Sequence, residues 1–159
     1  MRCHLRLAPL AAIGLLLSLP CPAALAAPDD APAGFAQPGF AQPGFAQQVL
    51  ALINARRAPL GLWALQAAAD LNTIAAEHSR EMAASGPLSH DGFSQRFWRT
   101  SGQTCVENLA NQPTGLQQPE ALVAAWWASP VHRRNLVAPR LQRAGLASVA
   151  GFVTFFACD

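Results

Sequence analysis

The sequence predicts an α+β domain in which helices pack against a small antiparallel sheet. Between residues 45 and 128, apolar side chains recur at the spacing of amphipathic helices, whereas the C-terminal segment LASVAGFVTFFAC is β-branched and aromatic around a glycine. Helices that precede strands, and do not alternate with them, are typical of α+β domains. The 159 residues are enough for one domain with a single hydrophobic core.

Residues 1–27 have the pattern of a secretory signal peptide. Arg2 and Arg6 precede an apolar run from Leu7 to Leu19, and Ala24-Leu25-Ala26 fits the small-residue cleavage site. The apolar run is too short to span a bilayer comfortably. We therefore expect a protein that is exported to a periplasmic or extracellular location and is not transmembrane.

Residues 28–44 are predicted to be an extended linker of low complexity. They hold the repeat Gly34-Phe35-Ala36-Gln37-Pro38, which recurs from Gly39 and ends in a partial third copy at Gly44 to Gln47. Proline or glycine every few residues prevents a regular strand ladder. The last copy is expected to run into the first helix of a domain at residues 45–159. A repeat that grips the cell wall is the alternative.

Cysteine usage predicts one disulfide bond. Cys21 is not expected to carry a lipid anchor, because Ser18-Leu19-Pro20 is a poor site for acylation. Loss of the signal peptide leaves Cys105 and Cys158, and a lone pair in an exported protein is interpreted first as a disulfide. The bond would close a loop of about 54 residues, worth roughly 4 kcal/mol by chain entropy. The alternative is two free thiols, with Cys105 as the nucleophile of a cysteine protease.

Charge excludes one class of partner. All eleven basic residues are arginines, and without Arg2 and Arg6 the remaining nine face nine acidic residues. A near-neutral mature chain gives no electrostatic basis for nucleic-acid binding. We expect a monomer.

Three longer helices are predicted. The first begins at Phe45 and is stopped by Pro59, and the second runs from Ala67 to Ala84 before Gly86-Pro87. The third begins at Pro119, which suits the first helical position. Their core-facing residues are Phe45, Val49, Leu52 and Ile53 in the first, Leu71, Ile74, Ala75, His78 and Met82 in the second, and Leu122, Val123, Trp126 and Trp127 in the third.

The remaining segments are shorter. One helical turn is expected at Phe93–Trp98, CVENLA is expected to form a strand, and NQPTGLQQ a loop. Two strands are expected around a turn at Ala150-Gly151. His78 is interpreted as a core histidine satisfied by a hydrogen bond.

Three polar residues stand out within apolar segments: His90 in LSHDGF, Glu107 in CVENLA and His132 in SPVHRRN. Two imidazoles and a carboxylate suffice for a divalent metal site, with zinc and a completing water as the first choice. They also suffice for metal-free acid–base chemistry. A buried hydrogen-bonded network that only joins three elements is the third alternative.

Local sequence predicts the position of His132 but not its net pKa, because the helix dipole and a nearby Glu107 would act in opposite directions. Ser129 suits an N-cap and Pro130 the first helical position, which places His132 at the third position of a new helix. The positive end of the helix dipole favours the neutral imidazole, the form that binds metal or accepts a proton. Arg133 and Arg134 are expected to face solvent or acidic neighbours, with a substrate carboxylate as the alternative, and Asn135 to hold its loop.

Several motifs in order resemble the CAP superfamily, also called SCP-like: cysteine-rich secretory, antigen 5 and pathogenesis-related proteins. The likeness is to short exported bacterial members and covers about residues 46 to 157. It lies in LINARRAPLGLWAL, AAEHSREMA, LSH, VENLA and WWASPVHRRNLV.

The resemblance implies a three-layer α–β–α sandwich whose cleft holds two histidines and two glutamates. His90, His132 and Glu107 match these motifs, whereas the position of the second glutamate holds Ser129. The implied function is the binding of a small amphipathic, lipid or cell-wall ligand, in a form that zinc or another divalent cation assists. The alternative is a metal- or histidine-assisted hydrolase of peptide or cell-wall bonds with Glu107 as general base. Whether the chain is an enzyme stays open at this point.

Overall fold

The computed structural model describes residues 43–113 and 117–159. The predicted signal peptide, Cys21 and the repeat linker up to residue 42 lie outside the described residues, as does the centre of the NQPTGLQQ segment. The elements in chain order are α1 (Pro43–Arg57), β1 (Gln66–Ala67), α2 (Ala69–Ser85), α3 (Phe93–Trp98), β2 (Cys105–Asn111), α4 (Pro119–Ala128), α5 (Pro130–Leu136), β3 (Arg143–Val149) and β4 (Phe152–Cys158).

The four strands form one sheet in the order β1-β3-β4-β2. β3 and β4 are an antiparallel hairpin, β2 runs antiparallel to β4, and β1 adds two residues parallel to β3. Helices cover both faces, so the predicted α+β sandwich is confirmed. The parallel strand β1 was not predicted, because two exposed residues carry no periodic pattern.

Alternation along β4 separates the two helical layers. Val153, Phe155 and Ala157 pack in a core cluster with residues of α1 and α4. Phe156 and Cys158 point to the other face and pack against α2. Because successive strand residues face opposite sides, one strand supplies both cores. Every residue of β4 is buried.

Helix ends follow the expected signals. α1 ends at Arg57, and one 3-10 turn that contains Pro59 follows it and ends at Gly61. The φ of Gly61 is 69°, a conformation that glycine adopts without steric strain. The last GFAQ copy lies inside α1, as predicted. α2 begins at Ala69, two residues later than expected, because residues 66–67 pair with β3.

Close packing between α2 and the sheet depends on Gly145. A Cβ at this position would lie 2.0 Å from the backbone carbon of Leu71. The hairpin turn lies at Ala150-Gly151 as predicted, with positive φ at both residues. None of the helices in the described part of the chain is long and apolar enough to cross a membrane.

The predicted disulfide between Cys105 and Cys158 is present. The two cysteines are directly opposite each other on β2 and β4. The free-thiol alternative is therefore wrong, and with it the cysteine protease that needed a Cys105 nucleophile.

Candidate functional site

An open cleft of about 350 Å³ lies where the loop after α2 meets β2 and α5. It brings together all three residues singled out from the sequence. Apolar side chains form much of the rest of its wall. The lining residues are His90, Phe93, Cys105, Val106, Glu107, Val131, His132 and Asn135.

Glu107 lies in the middle of β2 and is buried, with 2% of its side chain exposed. Its carboxylate forms a bidentate ion pair with Arg96 of α3: Nε to Oε2 at 2.8 Å and Nη2 to Oε1 at 2.9 Å. Such a fork-to-fork pair fixes the carboxylate in one orientation. Arg96 is itself buried.

Sequence reasoning missed Arg96. The signal available was weak: an arginine that shares a short helix face with Phe93 and Phe97. Nothing in the spacing shows that this face turns toward a carboxylate eleven residues further on. The pairing depends on the position of α3 beside β2.

His90 lies on the loop between α2 and α3, and 58% of its side chain is exposed. Its Nδ1 is 2.8 Å from Oε1 of Glu107. Because the carboxylate only accepts, Nδ1 carries the proton and donates it. In the neutral ring, Nε2 is then left with a lone pair for a ligand or an ion.

His78 of α2 fixes the loop that carries His90. It is 3% exposed, its Nε2 is 2.8 Å from the Ser89 carbonyl oxygen, and its Nδ1 is 3.2 Å from Glu81. Its Nε2 also lies 3.8 Å from Glu107. The prediction of a hydrogen-bonded core histidine is confirmed, and its contact with Ser89 positions the residue next to His90.

His132 lies at the third position of α5, as predicted. Ser129 occupies the N-cap and Pro130 follows it, but the Ser129 side chain makes no capping hydrogen bond, contrary to expectation. Partial burial, and secondly the charge of His90, lower the pKa of His132 below its ordinary value. The direction agrees with a neutral imidazole.

Two asparagines join α5 to β2. Asn135 Nδ2 donates to the Glu107 carbonyl oxygen at 3.0 Å and to Oδ1 of Asn108 at 2.9 Å. Asn108 Nδ2 donates to the His132 carbonyl oxygen at 3.0 Å. Asn135 thus holds a strand, and not only its own loop. The network fixes the helix that carries His132 relative to the strand that carries Glu107.

The residues fit a metal only in part. A carboxylate offers about four acceptor positions, and Arg96 and His90 occupy three of those on Glu107. Within residues 43–113 and 117–159, no three His, Cys, Asp or Glu side chains are arranged to hold an ion. Ser129 does not supply the second carboxylate. Glu107 fits better as the group that orients a ligating His90.

The sheet, the covering helices and the His/Glu cleft define a CAP-type domain. The family model for CAP, the cysteine-rich secretory protein family, matches residues 50–159. The chain belongs to this family. No curated protein is significantly similar to it.

Solved structures include similar domains. One is an extracellular protein with an SCP domain from Bacillus anthracis, at TM-score 0.66 and 26% identity over 72% of this chain. A cysteine-rich secretory protein from Staphylococcus aureus gives TM-score 0.65 and 19% identity over 73% of this chain. An outer surface protein from Borrelia burgdorferi gives TM-score 0.59 and 22% identity over 70% of this chain.

The lengths of these proteins differ. The match covers 40% of the Bacillus chain and 38% of the Staphylococcus chain, but 90% of the Borrelia chain. At 19% and 22% identity, the last two show the fold alone.

Proposed function

We propose that this chain is an exported CAP-domain protein whose cleft binds a small amphipathic or cell-wall ligand. The extracellular location of the similar Bacillus protein supports export. The cleft itself combines two imidazoles with the apolar side chains of Phe93, Val106 and Val131. Binding sites of this kind use apolar walls for affinity and a few polar groups for orientation.

The observation that carries the proposal is the ion pair between Glu107 and Arg96. The guanidinium and His90 leave about one acceptor position on the buried carboxylate. A general base needs an oxygen within hydrogen-bond reach of a water that it can deprotonate. Glu107 is better placed to orient His90 than to activate water, which favours binding over hydrolysis.

The two histidines determine the polar part of the ligand. The Nδ1–H of His90 is committed to Glu107, so Nε2 presents an acceptor to the cleft. Partial burial, and secondly the charge of His90, lower the pKa of His132, which favours a neutral imidazole at that position. We expect a ligand with hydroxyl or amide donors on one side and an apolar part on the other, which fits an amphipathic or glycan-derived molecule.

In a metal-assisted form, His90 and His132 would hold the ion and Glu107 would orient His90. The ion would supply a positive charge for an oxygen-bearing ligand. Two imidazoles are one protein ligand fewer than catalytic zinc sites use, so we expect weak zinc binding completed by water or ligand.

The hydrolase alternative requires a turnover test. With Glu107 as general base, Glu107→Gln would abolish the cleavage of peptide or cell-wall substrates by a protein that is still folded. Cleavage that persists in this variant would remove Glu107 from the chemistry. The proposal predicts no turnover in either protein.

The binding test uses octyl glucoside below its micelle concentration as a probe of amphipathic glycan character. Titration followed by NMR should shift the imidazole signals of His90 and His132, and His90→Ala/His132→Ala should weaken binding at least tenfold. Gln103→Ala, outside the cleft, is the control. Equal affinity in the folded double variant would contradict the proposal. Zinc content after equilibrium dialysis of the same proteins tests the metal-assisted form.

A further inference from the structure

A second polar surface lies away from the cleft, around Trp127 at the end of α4. The Arg56 guanidinium carbon, from α1, is 5.4 Å from the centroid of the Trp127 ring. The corresponding Arg133 carbon, from α5, is 5.0 Å from it. Both distances lie within the range of cation–π contacts, so one half-buried indole fixes two cations from different helices.

Trp127 and Arg133 line a groove of about 370 Å³, and Arg56 lies beside it on the Trp127 ring. Pro130, Arg133 and Arg134 line it from one face of α5, at positions i, i+3 and i+4, and Val137 lines it from the residue that follows the helix. The cleft residues Val131, His132 and Asn135 lie on another face of the same helix. The groove is therefore a separate site.

The charge in this groove is not compensated. Among the described residues, no carboxylate forms an ion pair with Arg56, Arg133 or Arg134. Other arginines do have acidic partners: Arg96 pairs with Glu107, Arg99 with Glu77, and Arg143 with Asp70.

The acidic residue of α4 lies at the opposite end of that helix from Trp127. Glu120 lies in the first turn of α4, and seven residues of helix place it about 10 Å along the axis from Trp127. The two stacked guanidiniums are themselves no more than about 10 Å apart, close to the screening length in physiological salt. Within residues 43–113 and 117–159, the fold thus places two guanidiniums on one indole without an ion-paired carboxylate.

We propose that this groove binds a phosphate group. Guanidinium forks match phosphate and carboxylate oxygens in pairs. The two forks that line the groove, those of Arg133 and Arg134, exceed the two oxygens and single charge of a carboxylate, whereas a phosphate offers more oxygens and up to two charges. The groove also offers the apolar surfaces of Trp127 and Val137 for whatever carries the phosphate.

Inorganic phosphate is the first probe, added to the whole exported domain and followed at the indole N–H signal of Trp127 by NMR. Arg133→Gln should raise the dissociation constant about tenfold, since a charge-assisted fork is worth a little over 1 kcal/mol. Arg140→Gln removes the same charge from another exposed arginine, one that forms no ion pair with a carboxylate of residues 43–113 or 117–159, and should change the dissociation constant less than twofold. Arg133 is exposed, so the variant should fold.

Vesicles distinguish the source of the phosphate. Binding to phosphatidylglycerol vesicles but not to phosphatidylcholine vesicles, lost in Arg133→Gln, would assign a lipid headgroup. Phosphate binding without vesicle binding would assign a soluble phosphate compound. Either result supports the groove.

The proposal is overturned if neither probe binds, or if Arg133→Gln and Arg140→Gln weaken binding equally. His90→Ala/His132→Ala should leave phosphate binding unchanged, so the groove and the cleft can fail independently.

Discussion

Glu107 shows how one buried charge determines what a site can do. Its carboxylate is removed from solvent on β2 and neutralised by Arg96, with His90 as a third partner. Removal of one partner from a buried pair leaves an uncompensated charge, whereas removal of both does not. The pair therefore has a testable energetic signature.

Arg96→Met should lower the free energy of unfolding by about 3–5 kcal/mol, because it removes the guanidinium from the buried Glu107 carboxylate and leaves only the half-exposed His90 within hydrogen-bond distance. Urea denaturation measures this. The double variant Arg96→Met/Glu107→Leu should recover much of the loss. Arg99→Met is the control: it breaks a half-exposed pair with Glu77 and should cost less than about 1 kcal/mol. Equal losses at Arg96 and Arg99 would contradict the buried-pair account.

His132 gives the site a pH dependence. Its pKa in the folded protein is lowered by partial burial and by His90, so below about pH 6.5 the unfolded chain binds more protons than the folded one. The contribution of neutral His132 is present above that pH, and is lost as the pH falls toward the folded-state pKa.

The stability of His132→Gln should therefore fall less between pH 7 and pH 5 than that of the wild type. Urea denaturation at intervals across this range measures the difference. Above pH 7, the unfolding free energies of the two proteins should change with pH in parallel, because His132 is neutral in both the folded and the unfolded state. Parallel curves over the whole range would show that His132 is not perturbed.

At the scale of elements, apolar periodicity predicted α1, α2 and α4 well, because each buries one stripe against the sheet. The hairpin of β3 and β4 followed from its β-branched residues and its glycine turn. β1 could not be predicted, since its two residues take their conformation from Arg143 and Ala144 alone. Burial of Arg57 and Arg96 was equally hidden, because an arginine in an amphipathic pattern is normally exposed.

Arg57 connects several elements at once. The buried guanidinium at the end of α1 donates to the carbonyl oxygens of Trp63, Leu136, Ala138 and Leu141. Burial lowers the pKa of this group below its ordinary value. Four carbonyls would lose a strong donor without it.

Arg57→Met should lower the free energy of unfolding by about 3–5 kcal/mol, since buried carbonyls left unsatisfied cost more than the bond returns. Its neighbour provides the matched control: Arg56→Met, half-buried against Trp127, should cost about 1 kcal/mol or less. Thermal and urea unfolding would both report the difference. Similar values for the two variants would mean that solvent replaces Arg57 without loss.

At the scale of the whole molecule, the candidate site could be predicted only as a set of residues. Motif order named His90, Glu107 and His132, and the fold brings them to one cleft. What the sequence did not show is that Glu107 is already paired. In the proposed function, that pairing makes Glu107 an orienting carboxylate and not a free one, and the pairing depends on the three-dimensional placement of α3.

Because β4 lies in the centre of the sheet, we expect the two walls of the cleft to differ in mobility. Its amides are bonded to strands on both sides, so we expect their hydrogens to exchange with solvent only when the sheet opens. Glu107 lies on β2, which pairs with β4, so we expect slow amide exchange on this side of the cleft as well. His90 lies on a loop that is fixed mainly by side-chain contacts. We expect the amide hydrogens of this loop to exchange through local opening. Under the proposed binding function, we therefore expect a ligand to enter by displacing the loop wall at a fraction of the unfolding free energy, while the wall formed by the sheet keeps its shape.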